Sequence, residues 1–232
     1  MMIWKINKFL FLSLIRLYLI FEMILNNISR VLPLLVFKEG YFYFLQVIAR
    51  KKDNPNQSRD LQLFSKCVTR KESLDLILSE VELLCNSFNA RCYISLLPRS
   101  IEEFVRRENY ELSRRIVNNS FTHKVFRVQD SVALDKMCVR WKGVIPSSRC
   151  MIDVDDMSIC SDLDKMLSDG GVNIEAKIPS FSGIHYVCSN FYPANIGGHR
   201  KGNSEDWEID LSGRIMTICR DVNVILYAKK AE

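Results

Sequence analysis

The sequence predicts one α+β domain (α/β in the broad sense), built around a single mixed sheet that is flanked by helices. Segments rich in aromatic and β-branched residues alternate along the chain with segments whose apolar residues recur every three or four positions. The composition is also that of an ordinary globular protein, since 48% of the 232 residues are hydrophobic and 25% are charged. A chain of this size and composition can bury a core of its own.

Residues 1–37 are an apolar N-terminal extension, and we expect the catalytic domain over residues 38–232. An apolar run around Phe9 imitates a signal peptide or membrane helix, but Arg16 and Glu22 interrupt it and no small-residue cleavage site follows. We therefore do not expect a membrane partner. The extension is either a helix that caps the domain or, over residues 1–22, a segment outside a native chain that starts at Met23. The second interpretation depends on amino-acid composition, because the bias toward Ile, Leu, Phe, Asn and Lys is typical of translated AT-rich leader DNA.

Charge and cysteine usage restrict the class of protein. The formal net charge of +5 is mildly basic and is compatible with a nucleic-acid or nucleotide partner. None of the eight cysteines forms a Cys-x-x-Cys pair and most lie in apolar runs, which predicts free thiols in a reducing cytoplasm. The three histidines are scattered, so a zinc site is not expected.

The aromatic and β-branched run at 41–49 predicts a strand, and a basic loop follows it. Arg50 and Lys51, with Lys52, precede a turn at Asn54-Pro55. Guanidinium and ammonium groups that follow a strand can hold phosphates, so Arg50 and Lys51 are candidate nucleotide-binding residues. The alternative is an ordinary solvated loop.

Further elements follow from periodicity. The clearest helix covers Lys71–Phe88, with apolar residues at helical spacing and acidic residues largely off that stripe. A second helix from 101 to about 118 carries four arginines on more than one face, which is typical of a solvated surface. We predict strands over 91–97, 150–156, 172–178, 215–221 and 224–227, and a short helix over 162–168.

The strand at 150–156 contains an unusual acidic pair. Asp153 and Asp155 are two positions apart, so in a strand both side chains project from the same face. Two neighbouring carboxylates repel each other unless a cation lies between them. Hard ions such as Mg²⁺ or Mn²⁺ suit carboxylate ligands, so the pair predicts a metal site. The alternative is a strand end that carries exposed acids.

A second motif, Ser182-Gly183-Ile184-His185, is predicted to form a turn that opens into a strand. Glycine allows a backbone N–H to approach a ligand closely, while Ser182, His185 and the nearby Lys177 supply donors. These residues are candidate phosphate or nucleotide contacts, although a histidine bonded within the core is the alternative for His185. A third acid, Asp221, ends a later apolar strand.

A hydrophobic strand with Asp-x-Asp, a following strand with Ser-Gly-x-His and a later acid at a strand end together resemble the archaeo-eukaryotic primase superfamily. Its members include primase and primase-polymerase catalytic subunits and the polymerase domain of bacterial ligase D. Segments 44–55, 89–100 and 220–223 also look like small proteins of bacteria and phages whose versions of this centre read I-D-I-D and S-G-Y-H. The resemblance covers roughly residues 38–230 and implies a primase-like catalytic core.

The resemblance implies two-metal nucleotidyl transfer. Asp153, Asp155 and Asp221 would hold Mg²⁺ or Mn²⁺ as the catalytic acids, and His185 would contact the phosphates of the incoming nucleotide. The implied partners are a single-stranded DNA or RNA template and an NTP or dNTP, with a replicative helicase as a candidate protein partner.

Two other functions fit the same sequence. Asp153 or Asp155 followed by Glu175-Ala176-Lys177 matches the sparse D…E-x-K pattern of PD-(D/E)xK nucleases, in which the acids hold a metal and the lysine orients water. A non-catalytic nucleic-acid or protein-binding module would instead use the basic segments 50–70 and 106–115. Replacing Asp153 and Asp155 would leave binding by such a module unchanged or even strengthen it, whereas a catalytic centre would lose its metal dependence.

Overall fold

The computed structural model describes residues 24–117, 149–200, 207–211, 213–219 and 222–229. Four α-helices, four 3₁₀ turns and twelve strands are found within these ranges. The helices are α1 (Ile28–Val31), α2 (Lys71–Phe88), α3 (Ile101–Val117) and α4 (Cys160–Asp169). The strands are β1 (Ile24–Asn26), β2 (Tyr41–Ala49), β3 (Leu61–Val68), β4 (Arg91–Ser95), β5 (Arg99–Ser100), β6 (Cys150–Val154), β7 (Asn173–Pro179), β8 (Ile184–Ser189), β9 (His199–Arg200), β10 (Trp207–Leu211), β11 (Arg214–Cys219) and β12 (Asn223–Lys229).

The strands form two antiparallel sheets. The first has the order β1-β12-β4-β2-β3, with β5 paired to β2, and the second has the order β7-β8-β6-β11-β10-β9. All of the strand pairs are antiparallel. The prediction of an α+β fold is confirmed at this level.

The prediction of a single mixed sheet is wrong. Helix α2 joins β3 to β4, but β4 pairs with β2 rather than with β3, so the helix does not connect two neighbouring parallel strands. Alternation of strands and helices predicts parallel pairs only when the crossover returns the chain to an adjacent position. The second sheet instead contains the hairpins β7–β8 and β10–β11, which need no helix.

Each sheet packs against a helix through one face. The larger core lies between the first sheet and α2, and it also receives Met151, Ile178 and Val187 from the second sheet. The other face of the second sheet packs on α4 through side chains such as Ile152 and Tyr186. Successive residues of β6, such as Met151 and Ile152, therefore point to opposite sides of the second sheet.

Residues 24–37 join the domain through β1, α1 and the turn that follows. Strand β1 pairs with β12, and Val31, Leu34 and Leu35 are buried in the larger core. Asn27 is 2% exposed, and its Nδ2 donates to the carbonyls of Pro179 (3.0 Å) and Ile225 (2.9 Å). One side chain thus connects this segment to both sheets.

Replacing Asn27 by alanine is expected to lower the free energy of unfolding by about 2 kcal/mol, because two buried carbonyls lose their donor. Asn26 is the matched control: it is exposed and only caps the N–H of Ile28, so Asn26→Ala should cost about 1 kcal/mol or less. Urea denaturation of both variants measures the difference. Equal losses would show that Asn27 does not connect the sheets energetically.

The cysteines of the described ranges form no disulfide. The seven cysteines there carry free thiols, four of them buried, and burial raises the pKa of Cys85 and of Cys188 to about 12. These thiols are protonated at neutral pH and act as small apolar side chains.

No helix in the described ranges is both long enough and apolar enough to cross a bilayer.

Candidate functional site

Asp153 and His185 lie directly opposite each other on the neighbouring strands β6 and β8. Nε2 of His185 is 3.3 Å from Oδ1 of Asp153. His185 is 8% exposed, whereas 42% of the Asp153 side chain is accessible. Nδ1 of His185 is buried and has no hydrogen-bond partner among the described residues. The carboxylate therefore faces open space while the imidazole supports it from within the sheet.

The pKa of Asp153 is lowered, chiefly by the hydrogen bond from His185, with smaller contributions from the charges of His185 and Lys52. Partial burial acts in the opposite direction and does not cancel this effect. Asp153 is therefore ionised throughout the neutral range. A carboxylate in this state can bind a cation without first losing a proton.

The folded pKa of Asp153 is lower than its unfolded pKa, which is about 3.9. Its contribution to stability is therefore present above that pH and is lost as the pH falls through the folded pKa. His185→Ala removes the main cause, so the Asp153 pKa should rise, as measured by ¹³C NMR titration of the carboxylates. His199→Ala is the control, because His199 lies near Glu208 rather than Asp153. An unchanged Asp153 pKa in His185→Ala would contradict this assignment.

Asp155 follows β6 and is held by the turn before β8. Ser182 Oγ donates to Asp155 Oδ1 at 2.7 Å, and the turn is closed by Ser180 N to Gly183 O (2.9 Å) and Gly183 N to Ser180 Oγ (3.0 Å). A Cβ on Gly183 would lie 1.8 Å from the carbonyl oxygen of Val154. Only glycine permits this approach, which brings the two predicted motifs together.

A cleft of about 470 Å³ lies between the two sheets and contains this group. The second sheet and its turn supply the acidic wall, and the first sheet and the loop after β2 supply the basic and polar wall. The acidic wall consists of Met151, Asp153, Asp155, Ser180, Ser182 and His185. The opposite wall consists of Gln46, Ile48, Arg50, Lys52, Asp60, Arg91, Tyr93, Asn223 and Ile225.

Of the predicted basic residues, Arg50 lines the cleft and Lys51 does not. Arg50 Nη1 donates to the hydroxyl of Tyr93 (3.3 Å), and its Nε lies 3.5 Å from Asp60. Lys51 begins a 3₁₀ turn and is exposed, with its backbone N–H bonded to Asp60. Consecutive residues in such a turn point about 120° apart. Lys52, rather than Lys51, therefore lines the cleft.

The structure does not bring Lys177 to the acidic pair. Lys177 is opposite Tyr186 in the β7–β8 ladder and lies on the α4 side of the sheet, 2.6 Å from Asp164. Its Nζ is also 4.9 Å from the centre of the Tyr186 ring. Side chains alternate between faces along β7, so Lys177 faces away from Asp153 and is not placed with the other predicted nucleotide contacts.

Glu175 likewise does not lie with the acidic pair, because it is paired with Arg149. Arg149 Nη2 donates to Glu175 Oε2 at 2.5 Å, and Arg149 Nη1 donates to the carbonyls of Leu34 and Leu96. Both side chains of this pair are almost buried. The D…E-x-K arrangement expected of a nuclease is not assembled around Asp153.

The third predicted acid, Asp221, lies outside the described residues. Asp156, next to the acidic pair, accepts from the N–H of Ser158 and pairs with Arg214, so its role is structural. In the part of the chain that the structure describes, no three His, Cys, Asp or Glu side chains are grouped to hold one metal ion. Asp153 and Asp155 nevertheless fit Mg²⁺, which is usually bound by one or two carboxylates together with waters and substrate phosphates.

Several cleft residues were missed in the sequence. Gln46 and Tyr93 are opposite each other on β2 and β4, and Asn223 begins β12. The available signal was alternation in β4, where Arg91, Tyr93 and Ser95 occupy every second position of the strand. That pattern predicts a second wetted face on the first sheet, although it does not show what the face lies against.

Comparison with known proteins finds no match for this chain among protein-family models, curated proteins or solved structures. The resemblance to the primase superfamily therefore remains a prediction that depends on short motifs. The basis for assigning a function is the geometry of the cleft.

Proposed function

We propose that the cleft is a metal-dependent nucleotidyltransferase site of the primase-polymerase type, which extends a strand on a single-stranded nucleic-acid template. The observation that supports this most strongly is the arrangement of charge. Asp153 and Asp155 occupy one wall, and Arg50 and Lys52 occupy the other wall of the same cleft. A replicative helicase as partner remains a prediction from the resemblance.

This arrangement suits a nucleoside triphosphate with a bound divalent cation. The cationic wall attracts the phosphate oxygens directly, as guanidinium and ammonium groups do. The acidic wall attracts the same ligand only through Mg²⁺ or Mn²⁺, since bare carboxylates repel phosphates. The volume of about 470 Å³ is in the range of small-molecule sites.

Each residue has a role that its contacts support. Asp153 and Asp155 would hold Mg²⁺ or Mn²⁺, which when bound supplies a more acidic attacking hydroxyl and neutralises charge on the transferred phosphoryl group. His185 orients Asp153 and lowers its pKa, and Ser182 donates a hydrogen bond that holds Asp155. Arg50 is held in place by Tyr93 and Asp60, so it is a preorganised phosphate ligand.

The contacts favour this function over a nuclease. A PD-(D/E)xK site would need Glu175 and Lys177 beside Asp153, whereas these residues pair with Arg149 and Asp164. A binding module without catalysis is compatible with the basic wall. It gives no reason for two carboxylates on the wall that faces Arg50 and Lys52.

Primer synthesis and extension by the full chain test the proposal. The protein is incubated with Mn²⁺, labelled NTPs or dNTPs and single-stranded DNA or RNA, with and without a primer. Elongation that requires the metal would support nucleotidyl transfer. Shortening of the template would indicate a nuclease, and binding without either reaction would indicate a non-catalytic module.

The variants Lys52→Ala and Lys177→Ala test which of the two lysines contacts the nucleotide. A charge-assisted hydrogen bond is worth about 1.5–3 kcal/mol, so Lys52→Ala should raise the KM for nucleotide by about tenfold or more. Lys177→Ala should change it less than about twofold, because Lys177 pairs with Asp164 on the face of the sheet that is turned away from the cleft. Steady-state extension kinetics measure both. A larger effect of Lys177→Ala would contradict the assignment of the two faces.

A further inference from the structure

A single arginine connects the two walls of the cleft at its basic end. Arg91 is the first residue of β4, belongs to the first sheet and is 9% exposed. It donates through Nε to Asp53 Oδ2 (2.6 Å) and through Nη2 to Asp53 Oδ1 (2.5 Å). Its guanidinium carbon lies 4.7 Å from the centre of the Phe181 ring, which belongs to the turn of the second sheet.

On the first-sheet side, these contacts hold the basic loop after β2. Asp53 ends the 3₁₀ turn that follows Arg50 and contains Lys52. Asn89, at the end of α2, donates through Nδ2 to the carbonyl of Asp53 (2.7 Å). The loop that presents Arg50 and Lys52 is thus fixed through both the side chain and the backbone of Asp53.

On the second-sheet side, the same arginine holds the turn that positions Asp155. Phe181 lies between Ser180, which closes the turn, and Ser182, which donates to Asp155. Movement of the Phe181 ring would therefore move the hydroxyl that fixes the second acid of the pair. Arg91 also lines the cleft itself.

The chemistry of Arg91 favours a positioning role over direct binding of phosphate. Its Nε and Nη2 edge is occupied by Asp53 in a bidentate pair, and the partner carboxylate neutralises most of its charge. The guanidinium carbon lies over the Phe181 ring while the same group keeps its bidentate pair with Asp53, and a lysine, whose ammonium is a compact point charge, cannot make both contacts in this way.

We propose that Arg91 is a positioning residue that sets the separation between the basic loop and the Ser180–Gly183 turn, through Asp53 on one side and Phe181 on the other. This inference rests on the proposed function for its catalytic consequence, but its structural part is independent of any activity. Loss of the contact leaves both walls folded and lets them move apart.

Hydrogen–deuterium exchange of the full chain tests the structural part. In Arg91→Lys and in Phe181→Leu, amides of residues 180–184 should exchange faster by between about threefold and thirtyfold, which is the range of a cation–π contact. Exchange in α2 should not change, whereas general destabilisation would accelerate it too. The double variant should be no faster than the quicker single variant, since both remove the same contact.

Arg99→Lys is the matched control. Arg99 is another buried arginine near a phenylalanine ring, 6.0 Å from the centre of Phe44, and it does not line the cleft. The Arg99→Lys variant should leave amide hydrogen exchange at residues 180–184 unchanged. If Arg91→Lys and Phe181→Leu also leave it unchanged, or if Arg99→Lys accelerates it equally, the proposal is wrong.

Extension kinetics test the catalytic consequence separately. Arg91→Lys should raise the KM for nucleotide by about tenfold, because the two walls no longer hold the ligand together. A purely structural loss would lower the amount of active enzyme, and hence the apparent kcat, at constant KM. A normal KM in Arg91→Lys would overturn the positioning role. If the wild-type protein does not extend a primer at all, the proposed function fails, and the exchange result still decides whether Arg91 connects the walls.

Discussion

Asp153→Asn is expected to reduce primer extension by at least about a hundredfold. Asparagine has the same shape and can still accept from His185, so the fold around β6 should be kept. The charge that would hold Mg²⁺ or Mn²⁺ is lost, and a catalytic metal is worth several kcal/mol, with about 1.4 kcal/mol for each factor of ten. The measurement is steady-state extension in Mn²⁺ over a range of metal concentrations.

Asp162→Asn is the matched control for this substitution. Asp162 is exposed in the first turn of α4, which packs on the other face of the second sheet. It should retain full activity and lose only the small favourable interaction with the helix dipole. If Asp153→Asn extends primers as well as Asp162→Asn does, then the acidic pair is not the catalytic centre.

Gly183→Ala is expected to have the largest effect on stability. The added Cβ would lie 1.8 Å from the carbonyl oxygen of Val154 and 2.8 Å from the Cα of Asp155, and both are backbone atoms that cannot rotate away. The β6 end and the turn must separate, at a cost of about 3 kcal/mol or more. The same movement would break the contact between Ser182 and Asp155, so activity should be lost as well.

Gly40→Ala separates this clash from the general cost of replacing a glycine. Gly40 has a φ of +80° but nothing within 4 Å of its Cβ position, so alanine there suffers only backbone strain of about 1–2 kcal/mol. Gly40 is also distant in sequence from both motifs, so the Gly40→Ala variant should keep its activity. Urea denaturation provides both values, and a Gly183→Ala variant as stable as the wild type would refute the proposed close approach.

Local patterns in the sequence predicted the elements better than their arrangement. The periodicity of Lys71–Phe88 predicted α2 with the bounds that the structure has, because propensity and amphipathic spacing agree there. Sheet order depends on which strand edges meet after the chain has returned from a helix or a long connection, and no short pattern contains that information. The expectation of one mixed sheet failed for this reason.

The site was predictable where it is built from neighbouring strands. Asp153 and His185 are 32 positions apart, yet their motifs each end or begin a strand, and the structure pairs those strands directly. Lys177 and Lys51 were assigned to the site from proximity in sequence, which does not determine the face of a strand or of a 3₁₀ turn. The opposite wall, with Tyr93 and Lys52, depends on packing between the two sheets.

The most direct test of the account is a manganese anomalous map from crystals that contain Mn²⁺ and an unreactive nucleoside triphosphate analogue. We expect a manganese ion at about 2 Å from a carboxylate oxygen of Asp153 or Asp155, with the triphosphate extending toward Arg50 and Lys52. A triphosphate bound elsewhere, or bound in the cleft with no manganese at either carboxylate, would contradict it.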